Sequence, residues 1–268
     1  MEFCILGHRG FLGQNICNSL SISGYKVITI PNRLDFKNLE KITSNYFTSD
    51  TVVINCIASG VTPYSSNENT DNLINVKLLE GLLEFFVESR SSKFIQFGTL
   101  YEIDEDVKTI TDRLSYVNSK ALGSQITKSY GENDARIKLI YLPTILGNNQ
   151  PQGRFFIDFI QSAGKSAPFK LLHPNSTIKL ASYNSFFRYL FKVVNSEENS
   201  VFYLPVEAKM RVVEFSELLN TILIKNNYGS VNIVTDELQQ MNYNQLDVAE
   251  DFLKIIEQIV ITIVGKSR

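Results

Sequence analysis

The chain has 268 residues, of which 44% are hydrophobic and 20% are charged, and its formal net charge at pH 7 is −2. This length is enough for one large domain, or a domain and a half, with a sizeable buried core. The near-balance of 26 basic and 28 acidic residues argues against a general nucleic-acid-binding protein, because such proteins need a basic face.

The chain has only three cysteines and two histidines, so it offers few ligands for a metal site and few partners for disulfide bonds. Cys4, Cys17 and Cys56 lie in apolar stretches without CxxC spacing, so we expect neither a metal site nor a disulfide framework. The N-terminal MEFCILGHRG shows no signal-peptide pattern, and the apolar segment 252–264 is shorter than the roughly 20 residues of a membrane span. A soluble cytoplasmic protein is predicted.

Short apolar runs alternate with helical stretches in the first half of the chain. Strands are predicted at residues 3–6, 25–30, 51–58, 93–97 and 137–142, and helices at residues 11–20, 72–87 and about 115–130. Strands of four to eight apolar residues that alternate with helices are typical of a parallel sheet covered on both faces.

This alternation ends after Gly147. Beyond it, helices are predicted at residues 155–163, 215–224 and 246–264, and a late strand at residues 201–204. We therefore predict a sheet domain at 1–147, with returning elements near 183–204, and a smaller region with a C-terminal helix at 148–268.

Three glycines spaced three apart, in ILGHRGFLG, separate the first predicted strand from the first helix. Such a turn exposes backbone N–H groups at a helix N-terminus, where they and the helix dipole bind a pyrophosphate. Glycine is required wherever a side chain would block the phosphate or the packing of helix on sheet. The motif predicts a dinucleotide site, and a simple tight turn is the alternative. The residues assigned to it are Gly7, Arg9, Gly10, Phe11, Leu12 and Gly13.

The second predicted strand ends in IPNR, without an acidic residue. An NAD site usually has Asp or Glu here, on the ribose hydroxyls, whereas the 2′-phosphate of NADP favours a cation. Arg33, together with Arg9, therefore favours NADPH, with NADH as the alternative cofactor and a solvated loop position as the alternative for Arg33. Three neighbours are assigned to the adenine end of the site: Asn32, Asp35 and Phe36.

Tyr116 and Lys120 stand four residues apart on a predicted helix and therefore share one face. An ammonium near a phenol stabilises the phenolate and lowers the tyrosine pKa from its usual value of about 10. Tyr116 is then suited to protonate a reduced carbonyl near neutral pH, and Lys120 is suited to bind the nicotinamide ribose. An ordinary exposed helix is the alternative.

Thr99 ends the predicted strand KFIQFGT. Ligands of open α/β sheets bind at the carboxyl edge of the strands, so its hydroxyl is expected to bond the substrate carbonyl oxygen beside Tyr116. Capping the next helix or loop is the alternative role of this threonine.

These motifs occur in the order found in the extended short-chain dehydrogenase/reductases, and the chain resembles that family over most of its length. GHRGFLG resembles the family's glycine turn, FGTLYE its Ser/Thr strand end, and YVNSK its Tyr/Lys pair. The resemblance implies an α/β fold: a Rossmann-type, doubly wound parallel sheet that binds NADP, with a small C-terminal mixed α/β substrate-binding region. It also implies further cofactor-binding residues: Ile57, Ala58, Ser59, Asn75, Pro143 and Ile145.

Within this family, the motifs resemble most the nucleotide-sugar 4-ketoreductases, which need only Thr99, Tyr116, Lys120 and NADPH. Leu100 follows Thr99 where 4,6-dehydratases carry an Asp-Glu pair, which argues against dehydration. The resemblance thus implies reduction of a CDP- or dTDP-linked 4-keto-6-deoxy or 3,6-dideoxyhexose in bacterial surface-polysaccharide (O-antigen) biosynthesis. A nucleotide-sugar epimerase with tightly bound NAD and a non-catalytic NADP-binding regulator remain as alternatives.

The expected substrate is a nucleotide-sugar, and the residues assigned to it are Thr99, Leu100, Arg154 and Lys179. Lys179 stands where many members of the family have an arginine. The helices near 72–88 and 115–130 form the dimer bundle in relatives, so a homodimer is predicted, with packing against the sheet as the alternative.

Overall fold

The computed structural model describes residues 1–30, 39–62, 67–103, 114–197, 200–235 and 248–267. They form two compact units. The first unit consists of Met1–Leu142 and Phe187–Leu204, and the second consists of Pro143–Phe186 and Pro205–Arg268.

Within the described residues, the first unit contains a six-stranded parallel sheet. Its strands are β1 (Glu2–Leu6), β2 (Lys26–Thr29), β3 (Thr51–Asn55), β4 (Lys93–Thr99), β5 (Ile137–Leu142) and β9 (Val201–Tyr203). They lie in the order β2-β1-β3-β4-β5-β9, so the direction of strand addition reverses between β1 and β3. Ligands of such sheets bind at this reversal, outside the carboxyl ends of the strands. The predicted Rossmann-type, doubly wound sheet is confirmed.

Helices cover both faces of this sheet. They are α1 (Phe11–Ile22), α2 (Leu39–Tyr46), α3 (Glu68–Asn72), a π-helical segment (Leu73–Leu78), α4 (Leu79–Glu88), α5 (Leu114–Asn133) and, from Phe187 onward, α7 (Tyr183–Val194). Phe86 of α4 packs on Phe94 of β4 with the ring centroids 5.3 Å apart, and Phe191 of α7 packs on Phe3 of β1 at 6.0 Å. The strand register places Phe3 and Phe94 on opposite faces.

Burial on both faces explains why the central strands are mostly apolar. Every residue of β3, β4 and β5 is buried. Polar side chains in these strands are hydrogen-bonded: Asn55 Nδ2 donates to Gln96 Oε1 across the β3–β4 pair at 2.8 Å, and Lys93 Nζ donates to Val194 O, at the end of α7, at 2.7 Å. Continuous apolar runs of this kind are typical of parallel strands.

The second unit is a mixed α/β structure. Its strands are β6 (Thr144–Leu146), β7 (Phe169–Leu171), β8 (Thr177–Ser182), β10 (Ala208–Arg211) and β11 (Ile233–Thr235), and its helices are α6 (Phe155–Gln161), α8 (Val212–Lys225) and α9 (Glu250–Ser267). The strands form one sheet in the order β10-β8-β6 and a parallel pair, β11-β7. Phe159, Phe215 and Ile256 are buried in the shared core of the three helices. None of the described helices is long and apolar enough to cross a membrane.

The structure corrects several predicted elements. Strand β3 ends at Asn55 rather than at residue 58: its partner β1 ends at Leu6, and Cys56 N makes a last bond to Leu6 O. The helix predicted at 72–87 begins at Glu68 and contains the π-helical segment. Helix α7 was missed, although Phe186, Leu190 and Val193 are buried at helical spacing. The helix α2 and the short strands of the second unit were missed as well.

We expect replacement of Phe86 by alanine to lower the free energy of unfolding by about 3–5 kcal/mol, because this ring is fully buried between helix and sheet. Its neighbour Val87 is 42% exposed, and Val87→Ala should change the unfolding free energy by no more than about 0.5 kcal/mol. Urea denaturation of both variants checks this prediction, and equal losses would contradict the packing of α4.

Candidate functional site

Two of the glycines between β1 and α1 are required by close backbone approaches. Gly7 has φ +74°, and a Cβ on it would lie 2.9 Å from the backbone of Cys56 and Ile57. A Cβ on Gly13 would overlap the carbonyl oxygen of Gly7. These two glycines therefore let the turn pass close to the segment after β3 and let α1 pack on the turn.

Gly10 has a different role, since it is the N-cap residue of α1. Its N–H donates to Gly7 O at 3.0 Å, and a Cβ on it would have one neighbour within 4 Å, Gly7 O at 3.4 Å. Gly10 has no side chain to cap this end of α1, and the first turn of the helix carries no acidic residue. A helix end with open N–H groups and no opposing negative charge fits the pyrophosphate of a dinucleotide.

The structure describes some of the other residues assigned to the cofactor, but not those at the end of β2. Arg9 is exposed in the turn, and Gln14 Nε2 donates to its carbonyl oxygen at 2.8 Å. Phe11 and Leu12, in the first turn of α1, are partly buried. The residues predicted at the end of β2, which are Asn32, Arg33, Asp35 and Phe36, lie outside the described residues.

Asn75, in the π-helical segment, ties the segment after β3 to helix α5. Its Oδ1 accepts from Ser59 N at 2.9 Å, and its Nδ2 donates to Ser59 O at 3.1 Å and to Ser119 Oγ at 2.9 Å. Ser119 Oγ in turn donates to the backbone oxygen of Tyr116 at 2.9 Å. The structure thus joins the segment Ile57–Ser59, Asn75 and the backbone of Tyr116 in one hydrogen-bond network. π-Helical segments inside α-helices are frequent at functional sites.

Thr99 at the end of β4 caps the 3₁₀ turn Leu100–Glu102. Its Oγ1 accepts from Tyr101 N at 3.3 Å, and Glu102 Oε1 accepts from Thr99 N at 2.7 Å. This reciprocal capping box fixes the end of the strand. A hydroxyl has two acceptor sites and one donor, so the cap does not use the O–H that would bond a carbonyl oxygen.

Lys120 is almost fully buried on the face of α5 that packs on β4. Its Nζ donates to the carbonyl oxygen of Phe97 at 2.5 Å. Burial lowers the pKa of Lys120, and the Glu102 carboxylate opposes this shift. Tyr116, one helical turn earlier, is partly buried.

Sequence reasoning missed Glu102. Burial raises the pKa of this carboxyl above its usual range, and the nearby Lys120 ammonium works against that shift. The spacing TLYE is a capping-box signature, so the bond to Thr99 was detectable in the sequence. The proximity of Glu102 to Lys120 depends on tertiary packing and has no local signal in the sequence.

The remaining predicted residues belong to the second unit. Pro143 is its first residue, and Ile145 is buried in β6. Arg154 is the N-cap residue of α6. Lys179 of β8 lies opposite Lys209 of β10 in the register of these antiparallel strands. Among the described residues, no three His, Cys, Asp or Glu side chains are grouped as a metal site would require.

The family model of the NAD dependent epimerase/dehydratase family matches residues 3–178, which is more than half of the chain. The chain belongs to this family. It is therefore an NAD(P)-dependent enzyme, and the cofactor that the glycine turn fits is NAD(P). The resemblance drawn from the motifs is confirmed at this level.

Solved structures with the same fold cover nearly the whole chain. UDP-glucose 4-epimerase from Thermus thermophilus, complexed with NAD, is 15% identical with a TM-score of 0.73, and 99% of each chain is covered. RMD from Pseudomonas aeruginosa, complexed with NADPH, is 14% identical with a TM-score of 0.73, covering 98% of this chain and 97% of its own. dTDP-glucose 4,6-dehydratase from Bacillus anthracis str. Ames, complexed with NAD, is 16% identical with a TM-score of 0.73, covering 99% and 97%. No curated protein sequence matches the chain. At these identities the likeness shows the fold.

We expect Asn75→Ala to lower the free energy of unfolding by about 1–3 kcal/mol, because it leaves the buried partners of Asn75 unsatisfied. Asn133→Ala is the matched control: its exposed amide donates to Ser129 O within the same helix, so the change should stay within about 0.5 kcal/mol. Urea titration of the two variants measures both values. A loss at Asn75 no larger than that at Asn133 would contradict the network.

Proposed function

We propose that the chain uses NADPH to reduce the 4-keto group of a nucleotide-linked deoxysugar, a CDP- or dTDP-linked 4-keto-6-deoxy or 3,6-dideoxyhexose. The observation that carries this proposal is the attachment of α5 to the end of β4. Lys120 Nζ bonds Phe97 O two residues before Thr99, and Tyr116 lies one helical turn from Lys120. The predicted acid, the cation and the strand-end hydroxyl are therefore carried by two elements that pack together.

The roles of the three residues follow from their chemistry. The Tyr116 phenol gives a proton to the carbonyl oxygen as that oxygen becomes negative, and the charge on Lys120 favours the resulting phenolate. The Thr99 hydroxyl orients the same oxygen through the O–H that its capping bond does not use. Bound NADPH supplies the hydride that reduces the carbon.

The strand end favours reduction over dehydration. Dehydration needs an additional acid and base beside the sugar. Leu100, the residue after Thr99, is buried and apolar. Glu102, three residues after Thr99, has its Oε1 bonded to the Thr99 N–H and its Oε2 buried. Leu100 has no carboxylate, and that of Glu102 is engaged in capping the strand end, so neither residue is suited to that chemistry.

NADPH rather than NAD is proposed because the second strand ends in IPNR, without an acidic residue for the ribose hydroxyls. The similar fold of RMD, a protein complexed with NADPH, is compatible with this choice. The 4-epimerase of Thermus thermophilus is complexed with NAD, so tightly bound NAD in the purified protein would favour epimerisation instead.

Further parts of the proposal concern the substrate and the cell. Arg154 and Lys179 are proposed to bind the diphosphate of the nucleotide-sugar, since both are cationic. The proposal also includes a cytoplasmic homodimer that forms through the helices near 72–88 and 115–130. The proposed cellular role is bacterial surface-polysaccharide (O-antigen) biosynthesis.

Tyr116→Phe removes the phenolic proton and should lower turnover of a 4-keto sugar nucleotide by about 10²–10⁴-fold, the range of general acid catalysis. NADPH affinity should change little, because the ring and its packing are kept. Tyr130→Phe on the same helix is the control and should keep full turnover. NADPH oxidation and fluorescence titration with NADPH check the two expectations, and full activity of Tyr116→Phe would contradict the assignment.

Gly10→Ala tests the cofactor site. The chain itself has room for the added methyl group, whose nearest neighbour is Gly7 O at 3.4 Å, so the free energy of unfolding should fall by less than about 1 kcal/mol. A methyl group at the open N-terminus of α1 should nevertheless block the pyrophosphate and raise the Kd for NADPH at least about tenfold, or 1.4 kcal/mol. Unchanged affinity would place the pyrophosphate elsewhere.

A further inference from the structure

Helix α5 is joined to α3 and the π-helical segment by hydrogen bonds one helical turn apart. Ser115 Oγ donates to Asp71 Oδ2 at 3.0 Å, and Asn75 Nδ2 donates to Ser119 Oγ at 2.9 Å. Each bond joins residues that are 44 positions apart in the chain. The two helices therefore lie side by side, run in the same direction and advance together by one turn between the bonds.

These two bonds lie on either side of Tyr116. Ser115 directly precedes it, and Ser119 Oγ donates to the Tyr116 backbone oxygen at 2.9 Å. Helix α5 begins at Leu114, so Ser115 lies in its first turn. Helix ends fray unless they are held, and the bond from Ser115 to Asp71 holds this one. Tyr116 thus lies on a turn of α5 that side chains of another helix hold at both ends.

Asp71 is also packed against the segment that follows β3. It is fully buried, which is rare for a carboxylate unless it has a partner. A Cβ on Gly60, whose φ is +74°, would lie 2.6 Å from Asp71 Oδ2. The carboxylate therefore lies against the backbone of Gly60, directly after the segment Ile57–Ser59 that was assigned to the cofactor. Asp71 contacts this backbone and, through Ser115, the start of α5.

We propose that Asp71 is a positioning residue for Tyr116: through its bond to Ser115, it fixes the first turn of α5 relative to the backbone at Gly60. Its importance for turnover rests on the proposed function, in which Tyr116 protonates the keto oxygen. The bond itself does not depend on which sugar is reduced. Because a misplacement of about 1 Å can cost about 10²-fold in rate, a partial loss of position should lower kcat by about tenfold.

Three substitutions isolate the bond. Asp71→Ala removes the acceptor, Ser115→Ala removes the donor, and Ser115→Thr keeps the hydroxyl. Ser115 is only partly buried, so Ser115→Ala should fold even if Asp71→Ala does not. Thr127→Val is the matched control, because Thr127 is buried on the same helix and its hydroxyl donates to Gly123 O at 2.8 Å, within α5 itself.

The first test is fluorine NMR of the protein labelled with 3-fluorotyrosine, which needs no substrate. The resonance of Tyr116 is identified by its absence from Tyr116→Phe. Asp71→Ala should shift this resonance, and the shift should be clearly smaller in a Ser115→Ala background, because the bond through which Asp71 acts is then gone. Thr127→Val should leave the resonance in place. An unmoved resonance in Asp71→Ala, or equal shifts in both backgrounds, would overturn the positioning role.

The second test compares kcat and KM for a sugar that the wild type reduces. Asp71→Ala and Ser115→Ala should each lower kcat about tenfold, with KM and the Kd for NADPH changed by less than about twofold. The double variant should lose no more than either single variant, because both remove the same bond. Ser115→Thr should keep kcat.

Thr127→Val should also keep kcat, even where it lowers the urea midpoint as much as Ser115→Ala does. If the loss of kcat followed the loss of stability in all the variants, Asp71 would act only by packing and the proposal would be wrong. A Tyr116 resonance coupled to Asp71 through Ser115, in a protein that reduces no keto sugar, would instead refute the proposed function and leave the positioning of Tyr116 intact.

Discussion

The bond between Lys120 Nζ and the Phe97 carbonyl oxygen is the contact on which the arrangement of the site depends. It brings a buried ammonium on α5 to the backbone of β4, where the strand runs on to Thr99. A misplaced α5 would move Tyr116 and leave a buried charge without an acceptor, which is costly. The bond from Lys120 to Phe97 O therefore does two things at once: it positions Tyr116, the predicted proton donor, and it supplies an acceptor for the buried ammonium.

A second contact holds α5 against the π-helical segment. A Cβ on Gly123 would overlap Asn75 O, so α5 and the π-helical segment approach each other at backbone distance. Asn75 lies in this π-helical segment and bonds both Ser59, in the segment after β3, and Ser119 of α5. The segments assigned to the cofactor and to the acid are thereby linked through one amide side chain.

The parts of this arrangement that follow from local chemistry could be predicted from the sequence. The glycine turn is recognisable because two close backbone approaches, at Gly7 and Gly13, require glycine at fixed spacing. Strands β4 and β5 are recognisable because burial on both faces leaves mostly apolar runs, in which Lys93, Gln96 and Lys138 are exceptions. The helix that carries Tyr116 and Lys120 was predicted, and their spacing of four residues puts them on one face of it, while their roles stay predictions.

What sequence reasoning missed depends on contacts between distant segments. The capping box of Thr99 and Glu102 is local, but the approach of Glu102 to Lys120 arises only when α5 packs on β4. The π-helical winding around Asn75 has no marker in the apolar periodicity, which predicts an ordinary helix. Helix α7 is the exception among the missed elements, because Phe186, Leu190 and Val193 stand at helical spacing in the sequence.

The most direct test of the central claim is the oxidation of NADPH by the purified protein against a panel of CDP-, dTDP- and GDP-linked 4-keto sugars, with the product identified by NMR. The account predicts that at least one CDP- or dTDP-linked 4-keto sugar is reduced to its 4-hydroxy form with one NADPH consumed per product. Interconversion of two hydroxy sugars by protein that retains NAD, with no net consumption of NADPH, would contradict it.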